Sequence, residues 1–182
     1  MTNFIEVYDN ALTSEECKVI IDHMNSSNLK PGTAGQYAEV KIDVKESLDL
    51  SMNLNNETEI DCMIIDALFK QRNKYVEKVP FLNEIKQWNV CARYNLQKYL
   101  PGKGYYKDHC ENVGSNARVL AWMFYLNTVT DNGGTYFTDY DLTLNAVEGR
   151  CVIWPAFFTH VHRGIVSKTE TKYIATGWFQ YI

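Results

Sequence analysis

The residues able to do chemistry gather late in the chain. The stretch YYKDHCENVG, residues 105–114, sets His109 and Glu111 two apart. On an extended backbone such residues share a face, so an imidazole and a carboxylate would point together, with Cys110 opposite. The chain has only four histidines, His23, His109, His160 and His162. His160 and His162 are again two apart, in FFTHVHRG, and either could join the first pair. Two imidazoles and one carboxylate are the set that takes one face of an octahedral Fe(II). They leave adjacent positions open for a chelating cosubstrate and dioxygen. A closed zinc site would call for four ligands, usually including thiolates. Here Cys17, Cys62, Cys91, Cys110 and Cys151 are scattered, with no C-x-x-C. Ten residues after His162, Lys172 opens the run KYIATGWF, where a cation could pair with a dicarboxylate.

Two kinds of element must bring these residues together. After Pro80 the chain becomes a series of short runs rich in Val, Tyr, Trp, Phe and Thr: IKQWNVCARY, GYYKDHCE, ARVLAWMFYLN, TYFTD, GRCVIWP, FFTHVHRGIV and KYIATGWFQYI. Turn residues such as PGKG and DNGG separate them. Short strands at such spacing predict a sandwich or barrel. Before Pro80 the spacing is helical. ALTSEECKVIIDHMNSS opens with Thr13 and Glu16 at capping-box separation. Ile60, Met63, Ile64, Ala67, Leu68, Tyr75 and Val79 recur at three or four, predicting a second helix over about 57–79. Residues 28–56, with Pro31, Gly32 and Gly35, read as a long polar segment holding a strand or two and as the candidate lid over a substrate. The expected fold class is therefore mostly β with N-terminal helices.

Composition narrows the function classes. A chain of 182 residues with net charge −4 and a pI near 5.6 has no global attraction to nucleic acid or anionic membrane. No apolar run approaches the ~18 residues of a membrane helix. MTNFIEVYDNALTSEEC lacks the basic and apolar regions of a signal peptide, which places the chain in the cytoplasm as an expectation. The five cysteines read as reduced, buried small apolar residues.

From about residue 86 onward, the segments YLPGKGYYKDHCE, RVLAWMFYLN, GGTYF, GRCVIWP, THVHRG and KYIATGW follow in an order and spacing that resembles the prolyl 4-hydroxylase-type 2-oxoglutarate- and Fe(II)-dependent dioxygenases, in the compact form found in bacteria and their viruses. The resemblance implies a double-stranded β-helix, or jelly roll: one domain over 1–182, with helical support to about 80 and the jelly-roll core over about 81–182. It implies Fe(II), 2-oxoglutarate and O2 as cofactors, with ascorbate in support. It implies hydroxylation of prolyl residues in a peptide or protein, releasing succinate and CO2. Residue by residue, it makes His109, Glu111 and His162 the iron ligands. Lys172, Tyr99, Tyr125 and Thr176 would meet the cosubstrate. Trp178, Arg163 and His160 would face the substrate. His162 is preferred over His160 because the step to Lys172 and the following Arg163-Gly164 fit the family. The family usually carries Asp where Glu111 stands, so an extra methylene must be accommodated.

Two other functions use the same residues differently. The same chemistry could act on a nucleobase or small molecule, although the paired arginines of such enzymes are missing after Arg163. A cupin-like binding domain could use His109, Glu111, His160 and His162 together, which would leave Lys172 without a role. Elsewhere, Asp139 and Asp141 in TDYD read as turn residues, Asp108 as solvated, and Trp88, Trp122 and Trp154 as core.

Overall fold

The structure is a computed structural model, described here over residues 2–35, 38–113 and 117–182. Helix α1, Ser14–Ser26, begins where a reciprocal cap forms. The Thr13 hydroxyl accepts from the Glu16 N–H at 3.2 Å, and Glu16 Oε2 accepts from the Thr13 N–H at 2.8 Å. Helix α2, Glu59–Lys78, repeats the device with Thr58 and Asp61. Asp61 also reaches into the core, where its Oδ1 accepts from the Tyr94 hydroxyl at 2.7 Å. Both helices fall where the apolar spacing predicts them, and Pro80 follows the second as expected.

Among the described residues, eleven strands follow in chain order: β1 Glu6–Tyr8, β2 Lys30–Pro31, β3 Leu48–Asn53, β4 Trp88–Val90, β5 Arg93–Tyr99, β6 Arg118–Tyr125, β7 Thr135–Phe137, β8 Leu142–Leu144, β9 Cys151–Pro155, β10 His162–Gly164 and β11 Lys172–Tyr181. Eight form one antiparallel sheet, ordered β1-β9-β6-β11-β5-β3-β2, with β4 following β5 along the same edge of β11. The other three form a small antiparallel sheet, β10-β7-β8. The chain is thus mostly β, with two helices near its start.

Side-chain alternation sorts the large sheet into two faces. Leu120, Trp122 and Phe124 of β6 pack with Ile20, Met24, Ile64 and Leu68 of the helices. Ala121, Met123 and Tyr125 face the other way, toward Phe137 and Leu144 of the small sheet. With both faces covered, β6 reads in sequence as an unbroken apolar run rather than an alternating one. The small sheet covers only part of its face. Over β11, β5 and β3 that face opens into a cleft.

Three expectations change. Residues 105–113 form no regular strand and make isolated bridges, Lys45 with Tyr105 and His109 with His162. The Glu111 and Asn112 N–H groups instead donate to the Ala156 carbonyl, at 3.1 and 2.8 Å. The run FFTHVHRG is likewise broken: Phe158–His160 is a 3-10 turn and β10 starts only at His162. His160 and His162 therefore do not share a face. The segment 28–56 holds two strands as expected, β2 and β3, and β3 pairs with β5 along its full length. Its Lys45 is buried against Asp49 at 2.7 Å, and Gln36 and Tyr37 of the candidate lid lie outside the described residues. Only Cys17 and Cys151 are buried; Cys62 is exposed and Cys91 and Cys110 are intermediate.

Candidate metal centre and cosubstrate cleft

Three side chains converge at one end of the cleft. His109 and Glu111 come from the irregular segment before β6, and His162 opens β10. The cross-sheet bridge closes this geometry: the His109 N–H donates to the His162 carbonyl and the His162 N–H to the His109 carbonyl, both at 2.9 Å. Glu111 Oε1 then lies 3.4 Å from His162 Nε2 and 3.7 Å from His109 Nε2. One ligand atom from each residue falls within 4.8 Å of the other two. Each imidazole is fixed from behind. His109 Nδ1 faces the Lys107 carbonyl at 3.0 Å and His162 Nδ1 the His160 carbonyl at 2.9 Å. A carbonyl accepts only, so both Nδ1 atoms carry the proton and both Nε2 lone pairs face the centre.

The electrostatics suit a cation. Burial, then the neighbouring His162, hold His109 down at about 4, so its ring is neutral at ordinary pH. Burial alone would raise Glu111. The His162 and His109 rings beside it and the Trp178 N–H outweigh it, and the carboxyl is held at about 2. Tyr105 stacks on the His109 ring at 3.8 Å between centroids. Trp154 meets the His162 ring edge-on at 5.1 Å. A two-nitrogen, one-oxygen donor set with no thiolate fits Fe(II) and leaves part of the coordination sphere open to the cleft.

That cleft measures about 1220 Å³. Alternation along β11 turns Lys172, Ile174, Thr176 and Trp178 into it, and β5 adds Asn95, Gln97 and Tyr99. Lys172 is buried, its Nζ lies 4.8 Å from the centre of the Tyr99 ring, and burial alone lowers it to about 8. No ion pair reaches it among the described residues. A desolvated cation without a counter-charge, in the same cleft as the three ligand atoms, fits an anionic cosubstrate end.

The other expected site residues divide. Thr176 lines the cleft but commits its hydroxyl to the Trp122 carbonyl at 2.9 Å. The Tyr99 hydroxyl donates to Gln97 Oε1 at 2.7 Å. Tyr125 lies behind the wall, its hydroxyl shared with Thr135 at 2.7 Å, and it is Thr135 that lines the cleft. Trp178 faces inward, with its indole N–H donating to Glu111 Oε2 at 2.7 Å. Two expected substrate contacts lie elsewhere. Arg163 pairs at the surface with the exposed Asp108 at 2.8 Å and covers the Tyr136 ring. His160 is turned from the cleft, with Nε2 against the Asn3 carbonyl at 2.7 Å and Nδ1 against Thr159 at 2.9 Å. Its carbonyl, rather than its ring, serves the centre. The four-ligand cupin-like arrangement therefore does not form. Asp139 lies within a 3-10 turn, Thr138–Tyr140, and Asp141 follows it, accepting from the Tyr136 hydroxyl at 3.0 Å.

Sequence reasoning missed Arg118, the Lys45–Asp49 pair and Gln97. None carries a local signal, since their roles depend on strand register. Beyond the centre the wall is polar, with Ser51, Asn53 and Asn95 on adjacent strands.

Residues 94–180 match the family model of the 2OG-Fe(II) oxygenase superfamily. No curated protein sequence matches the chain. Among solved structures, it is similar to viral collagen prolyl hydroxylase from Paramecium bursaria Chlorella virus-1 in its 2OG complex, at 18% identity and TM-score 0.73, covering 98% of this chain and 97% of that one. It is similar to a Pseudomonas putida prolyl-4-hydroxylase at 18% identity and TM-score 0.75, covering 98% and 94%. A Trichoplax adhaerens prolyl hydroxylase, in complex with a hypoxia inducible factor oxygen degradation domain peptide fragment, gives 15% and 0.78 over 98% and 84%. At such identities these neighbours share the fold. The matched residues 94–180 include the histidines, the carboxylate and the buried lysine of the cleft, so this part of the chain is similar to the 2OG-Fe(II) oxygenase superfamily, and the cofactors are Fe(II), 2-oxoglutarate and O2.

Proposed function

We propose that this chain hydroxylates prolyl residues in a peptide or protein. The observation that carries the reading is the meeting of the His109–Glu111–His162 trio with the unpaired Lys172 in one cleft. When bound, Fe(II), 2-oxoglutarate and O2 supply the oxidising power to hydroxylate an aliphatic carbon, with succinate and CO2 as coproducts. His109 and His162 offer Nε2 and Glu111 offers Oε1, each held by the contacts described above. Lys172 takes the far carboxylate of the cosubstrate, with the Tyr99 ring beside its ammonium and the Thr135 hydroxyl, backed by Tyr125, lining the same cleft. The walls of Trp154, Tyr105 and Trp178 exclude water from the reacting region.

In this reading the two sheets are the halves of a double-stranded β-helix, and residues 1–182 act as one domain with the helices buttressing the larger sheet. The prolyl substrate is supported by the three neighbours named as prolyl hydroxylases. A peptide would lie along the polar wall, where Ser51, Asn53 and Asn95 can bond its backbone. The test incubates the protein with Fe(II), 2-oxoglutarate and a panel of proline-containing peptides. A peptide gaining one oxygen, matched by an equal amount of succinate, is the expected outcome. Succinate formation with no peptide in a broad panel oxidised would overturn the prolyl assignment.

A further inference from the structure

We propose that Trp178 and Arg118 are positioning residues for Glu111, holding one carboxylate oxygen so that the other alone is presented to the metal. The proposal rests on the reading of Glu111 as an iron ligand. The two oxygens have divided surroundings. Oε1 faces the histidines, 3.4 Å from His162 Nε2 and 3.7 Å from His109 Nε2. Oε2 accepts the Trp178 indole N–H at 2.7 Å and lies 3.7 Å from Arg118 Nη1. An indole N–H can only donate, so this contact fixes the direction of the carboxylate. A hydrogen bond to a charged acceptor is among the strong ones.

Arg118 completes the clamp. Its guanidinium carbon sits 3.5 Å from the centre of the Trp178 ring, and its Nη1 donates to the Glu111 main-chain carbonyl at 2.8 Å. It thus presses the indole into place and ties down the backbone that carries the carboxylate. Simple alternation would not put Arg118 there, because Leu120, two residues on, faces the helices. The β6–β11 register shifts at this point: Phe179 pairs with Leu120, but Gln180 pairs with Arg118. Val119 is the extra residue, and it packs on the helix side beside Leu120. The bulge turns Arg118 over to the cleft. Re-aiming one side chain beside a site is a recognised use of a bulge.

The clamp also accounts for the length of the side chain. An aspartate at this position would be shorter by about one C–C bond, about 1.5 Å. From this backbone it can keep the Trp178 bond or reach the point between the histidines, but not both.

The test titrates Mn(II) into metal-free protein and counts free Mn(II) by electron paramagnetic resonance, with no cosubstrate and no turnover. Wild type should bind and Glu111→Ala should not; equal binding by both would remove the ligand reading itself, whatever Trp178 does. With that settled, Trp178→Phe, which keeps the ring and loses the N–H, should weaken Mn(II) about 10- to 100-fold, the usual cost of losing a group that orients a metal ligand. Arg118→Met, which leaves the indole in place, should weaken it severalfold. In a Glu111→Asp background the Trp178→Phe penalty should shrink to less than about twofold, because the coupling is already broken. Unchanged Mn(II) affinity in both single variants, or a Trp178→Phe penalty as large in the Glu111→Asp background as in wild type, would overturn the proposal.

Discussion

Removing the Lys172 ammonium should weaken 2-oxoglutarate binding by about a hundredfold. Burial holds this lysine at about 8, against about 10.4 for a free one. At about 1.36 kcal/mol per pH unit, keeping the charge out of water costs about 3 kcal/mol. A carboxylate seated against Nζ recovers that energy as binding, and about 1.4 kcal/mol corresponds to a factor of ten. Lys172→Ala loses it, whereas Lys172→Arg keeps the charge in the wrong shape and should fall between. The same lysine sets a pH dependence. The bound state requires the protonated form, so affinity is full below about pH 8 and falls up to tenfold per unit as the pH rises beyond it. Calorimetry with Mn(II) in place of iron, under anaerobic conditions from pH 6.5 to 9.5, measures both effects. Equal affinity in wild type and Lys172→Ala, or a wild-type affinity flat across that range, would show that Lys172 does not hold the cosubstrate.

Stability should move the opposite way at this position. Between about pH 8 and 10.4 the unfolded chain binds more protons at Lys172 than the folded one, so the native state gains stability as pH rises there. Lys172→Met, which removes a buried charge, should raise the melting temperature at pH 7 while losing cosubstrate. His109→Ala and His162→Ala should each abolish metal binding in equilibrium dialysis. His160→Ala should retain the metal and lose only stability, since its ring holds Asn3 and its carbonyl survives the change. Asp61→Ala should cost about 2–4 kcal/mol in urea denaturation, because it removes the carboxylate that accepts from Thr58 in the cap of α2 and orphans the buried Tyr94 hydroxyl.

The helices were legible because their signals are local. Thr13 with Glu16, and the apolar spacing from Ile60 to Tyr75, mark their own segments. The β-rich half was legible for the same reason, through short runs between turns. The converging residues could be listed from spacing, yet the reason they converge could not. His109 and Glu111 share a direction because an isolated bridge to His162 and the Ala156 carbonyl shape an irregular segment, not because a strand alternates there. His160 misled because a 3-10 turn replaces the strand its neighbours suggested. Arg118 was invisible because a bulge, a property of two strands at once, turns it to the cleft. Lys45 looks like any lysine until β3 joins β5 and buries it beside Asp49.

The proposal that His109, Glu111 and His162 hold the iron, with 2-oxoglutarate in the same cleft, has an optical test. Chelation of Fe(II) by 2-oxoglutarate produces a visible absorption band, to be recorded without oxygen in wild type, Glu111→Ala, His162→Ala and His160→Ala. The band should be present in wild type and in His160→Ala, and absent in Glu111→Ala and His162→Ala. A band undiminished in His162→Ala, or lost in His160→Ala while His162→Ala keeps it, would contradict this assignment of the ligands.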